Sequence, residues 1–314
     1  MTIRLAYNQA TPVQRVLGKT DPTVRLAVGS LHERAHRTAL QPGAKRLPAL
    51  LVSFAYLQPF LKNRHRYRYR DWVMDSGAFT AANSGKHIAL KDYIATCVQL
   101  IETDPTLVEI FALDVIGDPK ASAQNCAAMW KAGIPAIPCF HYGEPEAALL
   151  AMADTYPKIA IGGVAYKRGA AKTKWAEQVF ARVWPKRIHG FAFASERDVM
   201  ALPFHSVDAS SWEIGACGFG NWKQFGHMTV RGSNQDLRGE VDFYLELEER
   251  ARIRWAKEMR TLKAQKAAPA IRLAFARSRK GKTDKLANLV DDDGAPNVRL
   301  AVVKALGRGE LMAT

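Results

Sequence analysis

The chain has 314 residues, of which 48% are hydrophobic and 24% charged, and 45 Lys and Arg against 30 Asp and Glu leave a formal net charge of +15. That length suits one α/β barrel with an extension, and no apolar run approaches the length of a membrane-spanning helix, so the composition predicts a soluble globular protein. The cationic surplus favours a polyanionic partner, nucleic acid before others, and the opening Met1–Tyr7 lacks the apolar segment of a secretory signal, which places the expected location in the cytoplasm.

Residues 1–23 mix polar and apolar positions without a clear period and read as an irregular lead-in. Short apolar runs then alternate with longer amphipathic ones. The runs are Val24–Val28, Leu50–Phe54, Trp72–Met74, Ile110–Val115, Ala136–Phe140, Ile159–Val164, Gly190–Ala194 and Phe204–Val207. Eight strands close a parallel barrel. Helices are predicted over Ile88–Glu102, Ala121–Ala132 after the start signal Asp118-Pro119, Glu144–Tyr156 and Thr173–Trp184. Strand, turn and helix in repeated order argue for β/α units. An open doubly wound sheet competes, but no G-x-G-x-x-G follows a strand to support a dinucleotide crevice.

The run Lys62-Asn63-Arg64-His65-Arg66-Tyr67-Arg68-Tyr69-Arg70 alternates cations with His and Tyr, so an extended segment would put its cations on one side. Its place before strand three puts it at the bottom of a barrel. Beyond Trp212 comes a Gly-rich aromatic loop, Gly215–Trp222, and then a long helix over about 239–266 with Tyr244, Leu247, Ala251, Trp255, Met259 and Leu262 on its packing face. Arg250, Arg252, Arg254, Lys257, Arg260 and Lys263 make the other face, read as solvated. The tail over 267–314 is basic, with an acidic triplet Asp291–Asp293 and a short helical pattern at Asn297–Leu306. The predicted architecture is an α/β (β/α)8 TIM barrel over residues 1–238, with a C-terminal helical extension and basic tail over 239–314. Cys97, Cys126, Cys139 and Cys217 stand far apart without a C-x-x-C grouping, and read as buried thiols rather than disulfides or zinc ligands.

A β/α barrel carries its chemistry at the C-terminal ends of its strands. Strand three ends in Asp75-Ser76-Gly77. Strand four leads to Asp114 and Asp118, strand five to His141, strand six to Gly162-Gly163, and strand eight to Asp208. Singly, each has a structural explanation: Asp114 or Asp118 as helix caps, His141 as a core histidine. Together they suit two-carboxylate glycosyl transfer, with metal-assisted hydrolysis and a purely binding barrel as alternatives.

These residues resemble the tRNA-guanine transglycosylase superfamily, and more closely its DNA-acting branch, the 7-deazaguanine DNA transglycosylases of phages and bacteria. Asp75-Ser76-Gly77-Ala78-Phe79 is similar to the family's Asp-Ser-Gly-Gly-Phe, Ala112-Leu113-Asp114 to its base-recognising segment, Phe140-His141-Tyr142-Gly143 to a further base contact, Gly162-Gly163-Val164-Ala165 to Gly-Gly-Leu-Ala, and Gly190-Phe191-Ala192 with Val207-Asp208 to the nucleophile segment. The likeness covers residues 70–225. The family's C-terminal Cys-x-Cys-x-x-Cys…His zinc site has no counterpart, which points to the DNA branch and to no metal or other cofactor.

The resemblance implies exchange of guanine in DNA for a free 7-deazaguanine base such as preQ0 or preQ1, with a tRNA enzyme as the runner-up and a non-catalytic nucleic-acid-binding barrel after it. Asp208 is the implied nucleophile and Asp75 the general acid and base, while Ser76, Asp114, His141, Gly162 and Gly163 hold the base. The target base must leave the stack, which favours single-stranded or mismatched DNA. The segment following Asp208 is best placed to grip phosphates, with Asn221, Lys223, Arg231 and Arg238 as the candidate contacts. No membrane is implied as a partner.

Overall fold

The computed structural model describes residues 1–7, 47–66, 69–164, 167, 170–210, 223–224, 227–228 and 237–264. Strands β1 (Thr2–Tyr7), β2 (Ala49–Ser53), β3 (Trp72–Asp75), β4 (Leu107–Ile110), β5 (Cys139–His141), β6 (Lys158–Gly162), β7 (Arg187–Gly190) and β8 (Ser206–Ala209) form one all-parallel sheet in the order β4-β3-β2-β1-β8-β7-β6-β5. An isolated parallel bridge joins Phe111, just after β4, to Ile137, just before β5, the strands at the two ends of that order. Such strands are buried on both faces and read as nearly unbroken apolar runs, and every residue of β6 is buried, Lys158 included. The protein is therefore an α/β protein built on an eight-stranded parallel sheet, compatible with a TIM-like fold.

The helices are α1 (Leu57–Asn63), α2 (Ala78–Asn83), α3 (Leu90–Thr103), α4 (Pro119–Lys131), α5 (Glu146–Thr155), α6 (Ala170–Val183), α7 (Glu196–Ala201), α8 (Leu237–Arg254) and α9 (Ala256–Ala264). A two-residue hairpin pairs β9 (Lys223–Gln224) with β10 (His227–Met228). Side-chain caps mark two of the helix entries. Asp118 accepts from Ala121 N at 2.9 Å with Pro119 at the first helical position, and Ser195 accepts from Asp198 N at the start of α7.

The first strand differs from the expectation. It is Thr2–Tyr7, within the stretch read as an irregular lead-in, whereas Val24–Val28 lies outside the described residues. Ile3 and Leu5 are buried on alternate positions, but the buried Arg4 between them breaks the apolar run. Strand four stops at Ile110 rather than reaching Val115, because Phe111 keeps only a single bridge before the chain turns. Strand seven is Arg187–Gly190 rather than Gly190–Ala194, since Ala192 at φ 64° is left-handed and cannot continue a ladder. The run from Lys62 does not begin extended: Lys62 and Asn63 close α1 and the chain passes into a tight turn over Arg64–Arg66, while Tyr67 and Arg68 lie outside the described residues. Phe60 packs 5.8 Å from Tyr69 and 5.1 Å from Trp72 between ring centroids.

The long helix expected over 239–266 is α8 and α9, separated at Trp255. Its packing face is as read, with Leu247, Ala251 and Leu262 almost fully buried, and Arg250, Arg252, Arg254, Lys257 and Arg260 are exposed. The pattern at Asn297–Leu306 lies outside the described residues. Among the described residues, no helix is long and apolar enough to cross a membrane.

Contacts divide the chain into two units: Met1–Trp72 with Val164–Glu177 and His189–Met259, and Val73–Gly163 with Gln178–Ile188 and Arg260–Thr314. In the first, a polar chain runs under β1. Arg4 pairs with Asp71, Asp71 with Arg70 at 2.8 Å, Arg70 with Glu248 at 3.1 Å, and Glu248 accepts from Ile3 N at 2.7 Å. In the second, Lys158 at the start of β6 meets both oxygens of Glu109 at 2.7 Å.

Burial alone would raise the Asp71 carboxyl, but Arg4 and Arg70 outweigh it and hold it below the ordinary carboxylate range. The pair therefore contributes stability above that range and loses it as pH falls through the lowered value. Asp71→Ala leaves the Arg4 guanidinium, 7% exposed, without its carboxylate. The variant is expected to lose about 3 kcal/mol in urea unfolding at neutral pH, the lower end for a buried pair deprived of one partner.

Candidate functional site

In the second unit, the ends of β4 and β5 bring Asp114, His141 and Glu144 together, and β3 presents a further aspartate. β3 ends in Asp75, whose Oδ2 accepts from Gly77 N at 3.1 Å. Asp114 lies just beyond β4 in a segment pinned from α4: Asn125 Nδ2 donates to Leu113 O at 3.0 Å, and Val115 N donates to Ser122 Oγ at 2.8 Å. His141 ends β5, with Nε2 3.4 Å from Asp114 Oδ2 and Nδ1 3.0 Å from Glu144 Oε1. Of the two aspartates open to a capping role, Asp118 caps α4 and Asp114 is turned to His141 instead.

Burial pushes the Asp114 carboxyl up, against the opposing pull of His141. For His141 burial works downward, but the Asp114 and Glu144 carboxylates against its two ring nitrogens act the other way and raise it above the usual histidine range. An acid–imidazolium–acid chain results, with one net negative charge when both acids are ionised. Nearby, the buried Tyr93 donates to Phe111 O at 2.8 Å, and its phenol is raised first by burial and further by Cys97, Asp75 and Asp114.

Ser76 is buried and its Oγ accepts weakly from Ala78 N at 3.4 Å. Gly162 closes β6 opposite His141 in register, and its carbonyl accepts from Tyr142 N at 3.0 Å. Gly163 has φ 73°, and a Cβ there would stand 3.1 Å from Tyr142 N and 3.2 Å from His141 Cβ. The missing side chain thus lets β5 lie against β6, and His141 owes its position to that closeness.

Asp114, Cys139 and His141 also place one ligand atom each within 4.8 Å of one another. Carboxylate, thiolate and imidazole are donors that zinc accepts, and Glu144 on Nδ1 is the outer carboxylate that metal-bound histidines commonly have. The Cys139 thiol is pushed by burial to about 12, so it is a protonated thiol as it stands.

The first unit holds Asp208, in β8. Ala192 N donates to its Oδ1 at 2.9 Å, and His189 Nε2 stands 3.8 Å from the same oxygen. Burial raises this carboxyl to about 6, with the Ala192 amide and Lys172 acting in the opposite direction. His189 is fully buried in β7, its Nδ1 2.9 Å from Ser206 Oγ and its ring edge-on to Phe191.

Of the expected phosphate contacts, Asn221 and Arg231 lie outside the described residues. Lys223 is placed in β9 and Arg238 in the first turn of α8 by backbone only. Sequence patterns missed Glu144, Cys139, His189 and Lys172. For the first, an acid three residues after His141 was the available signal; Cys139 shares the strand face of His141 at spacing two.

A scan against protein-family models finds no match, and neither does a search of curated proteins.

Gly163→Ala is expected to cost about 1–2 kcal/mol for a left-handed alanine and to push His141 from Asp114. Thermal unfolding reads the first effect, and a changed imidazole resonance of His141 in histidine-labelled protein reads the second.

Proposed function

We propose that this protein is a DNA guanine transglycosylase, built on a closed (β/α)8 barrel, that exchanges guanine for a 7-deazaguanine base through an aspartyl-deoxyribose intermediate. The observation that carries the reading is Asp208: a half-buried carboxylate near the end of β8, its side chain 15% exposed, with one oxygen held by a backbone amide and a pKa near 6. Such a group is ionised at neutral pH yet poorly solvated, which suits a nucleophile. The bridge between Phe111 and Ile137 supports closure of the sheet.

In the proposed reaction, Asp208 attacks C1′ of deoxyguanosine and the C1′–N9 bond breaks with its electron pair leaving on guanine. Asp75 gives a proton to the departing base and takes one from the incoming deazaguanine. The ring nitrogen of the new base then displaces Asp208 from C1′. Two displacements retain the anomeric configuration.

Asp114 and His141 support a purine-binding role. With His141 favoured as a cation, the Asp114 carboxylate, an acceptor when ionised, suits the N–H donors of a guanine edge. Phe79, Ile116 and Tyr142 follow Asp75, Asp114 and His141 in sequence and are 52%, 50% and 43% exposed, apolar surface fit to meet a flipped base or its neighbours. The net charge of +15 suits the polyanionic substrate.

One observation favours a second reading. The Asp114, Cys139 and His141 donor set fits a zinc-assisted hydrolase, in which the metal activates a water. Metal content of the purified protein, and activity before and after chelation, separate the two: the transglycosylase reading expects exchange that survives chelation.

Labelled preQ0 supplied with DNA or tRNA tests the proposal. Label is expected in DNA, with a covalent protein–DNA adduct lost in Asp208→Asn. Label in tRNA alone moves the assignment to a tRNA enzyme, and label in neither sinks base exchange. The nucleophile must be ionised, so the adduct-forming rate is expected to rise with pH to a plateau, with a midpoint near 6.

A further inference from the structure

Ala192 is, among the described residues, the one non-glycine with positive φ, at 64°. A left-handed alanine is disfavoured by contact of its Cβ with the following backbone, and residues so held gather where surrounding structure over-determines them. Both of its backbone polar groups are engaged. Its N–H donates to Asp208 Oδ1 at 2.9 Å and its carbonyl accepts from Lys172 Nζ at 2.6 Å.

Lys172 is itself fixed. Its ammonium pairs with Asp198 Oδ2 at 2.8 Å and lies 4.8 Å over the ring of Phe193. Asp198 is fully buried and also accepts from Thr173 Oγ1 at 2.6 Å and from Ser195 Oγ. On the opposite side, His189 is oriented by Ser206 and approaches the same Oδ1 that Ala192 holds. The Ala192 amide and His189 both approach Oδ1 of Asp208 rather than Oδ2.

We propose that Lys172 and His189 are positioning residues for Asp208: Lys172 holds Ala192 left-handed so that its amide grips Oδ1, His189 backs that oxygen, and Oδ2 is presented for attack. The inference rests on Asp208 being the nucleophile. A carboxylate attacks through one oxygen along a defined line, so restraining the other removes a rotation that would scatter the attacking atom. Lys172 also places a positive charge near a half-buried anion without bonding it directly, which keeps the anion available as a nucleophile.

The test compares Lys172→Met, His189→Leu, His189→Gln, Ala192→Val and Ala192→Gly in the full chain. Two readouts are used: single-turnover adduct formation with a guanine-containing DNA oligonucleotide, and titration of Asp208 followed by carbon NMR of aspartate-labelled protein. Oligonucleotide affinity and thermal unfolding are measured on the same samples.

Lys172→Met and Ala192→Val are expected to slow adduct formation about tenfold to hundredfold, with affinity within about twofold, and to raise the Asp208 midpoint. Ala192→Gly, which adopts the same φ without a Cβ, loses less than Ala192→Val. His189→Gln, retaining a donor, loses less than His189→Leu. Wild-type rate and midpoint in folded Lys172→Met and Ala192→Val would overturn the positioning role. If wild type forms no adduct but Lys172→Met still moves the Asp208 midpoint, base exchange fails while the hold on Asp208 stands.

Discussion

The Glu248 carboxylate, 4% exposed, is the constraint from which the first unit is built. Its Oε2 takes the amide of Ile3 at 2.7 Å and its Oε1 takes Arg70, so a helix near the end of the described chain is tied to the first strand. A buried carboxylate without such partners would cost several kcal/mol. The strand therefore has one preferred position against α8. Register carries this constraint to the chemistry, because β1 pairs with β8 and sets Arg4 opposite Asp208. A slip of one residue would turn every side chain of β8 to its other face. The height and direction of the proposed nucleophile thus depend on a carboxylate far from it in sequence.

The two acidic centres use burial differently. Asp208 is tuned by backbone geometry: an amide from a left-handed residue meets one oxygen, and Lys172 is spent on that residue's carbonyl and on Asp198. Asp114 instead faces a histidine that a second acid, Glu144, keeps protonated. The strained alanine costs about 1–2 kcal/mol, within the range that a charge-assisted bond from Lys172 can offset. Nothing in the local sequence Gly190-Phe191-Ala192-Phe193 requires that conformation; the partners Asp208 and Lys172, distant in sequence, impose it.

This division explains what was legible. Strand ends such as Asp75, His141 and Gly162 stand where an apolar run stops, a local signal, and α4 announces itself by Asp118-Pro119. The strand at Thr2–Tyr7 was hidden because its buried Arg4 reads as surface until Asp71 is known to pair with it. The end of β7 was misplaced because Phe193 and Ala194 are buried like strand residues although Ala192 has already broken the ladder. Lys172 looked like one more cation on an amphipathic helix, and only Asp198 and Ala192 distinguish it. Asp114 could be seen as a candidate but not separated from Asp118 as a cap, since both follow the same apolar run.

The charge state of His141 decides between the ligands that its surroundings can take. With Asp114 and Glu144 on its two ring nitrogens, the imidazole is favoured as a cation and has no lone pair to offer. A purine edge accepts this state as it is, because its donors need only the free lone pairs of Asp114. A metal ion does not: the imidazole and the Cys139 thiol, a weak acid with a pKa near 12, must both release protons first. Occupation by metal would therefore grow steeply with pH, whereas recognition of a base by Asp114 needs no proton to leave His141. Under the proposed reading, that asymmetry would favour a neutral heterocycle over a metal ion at neutral pH.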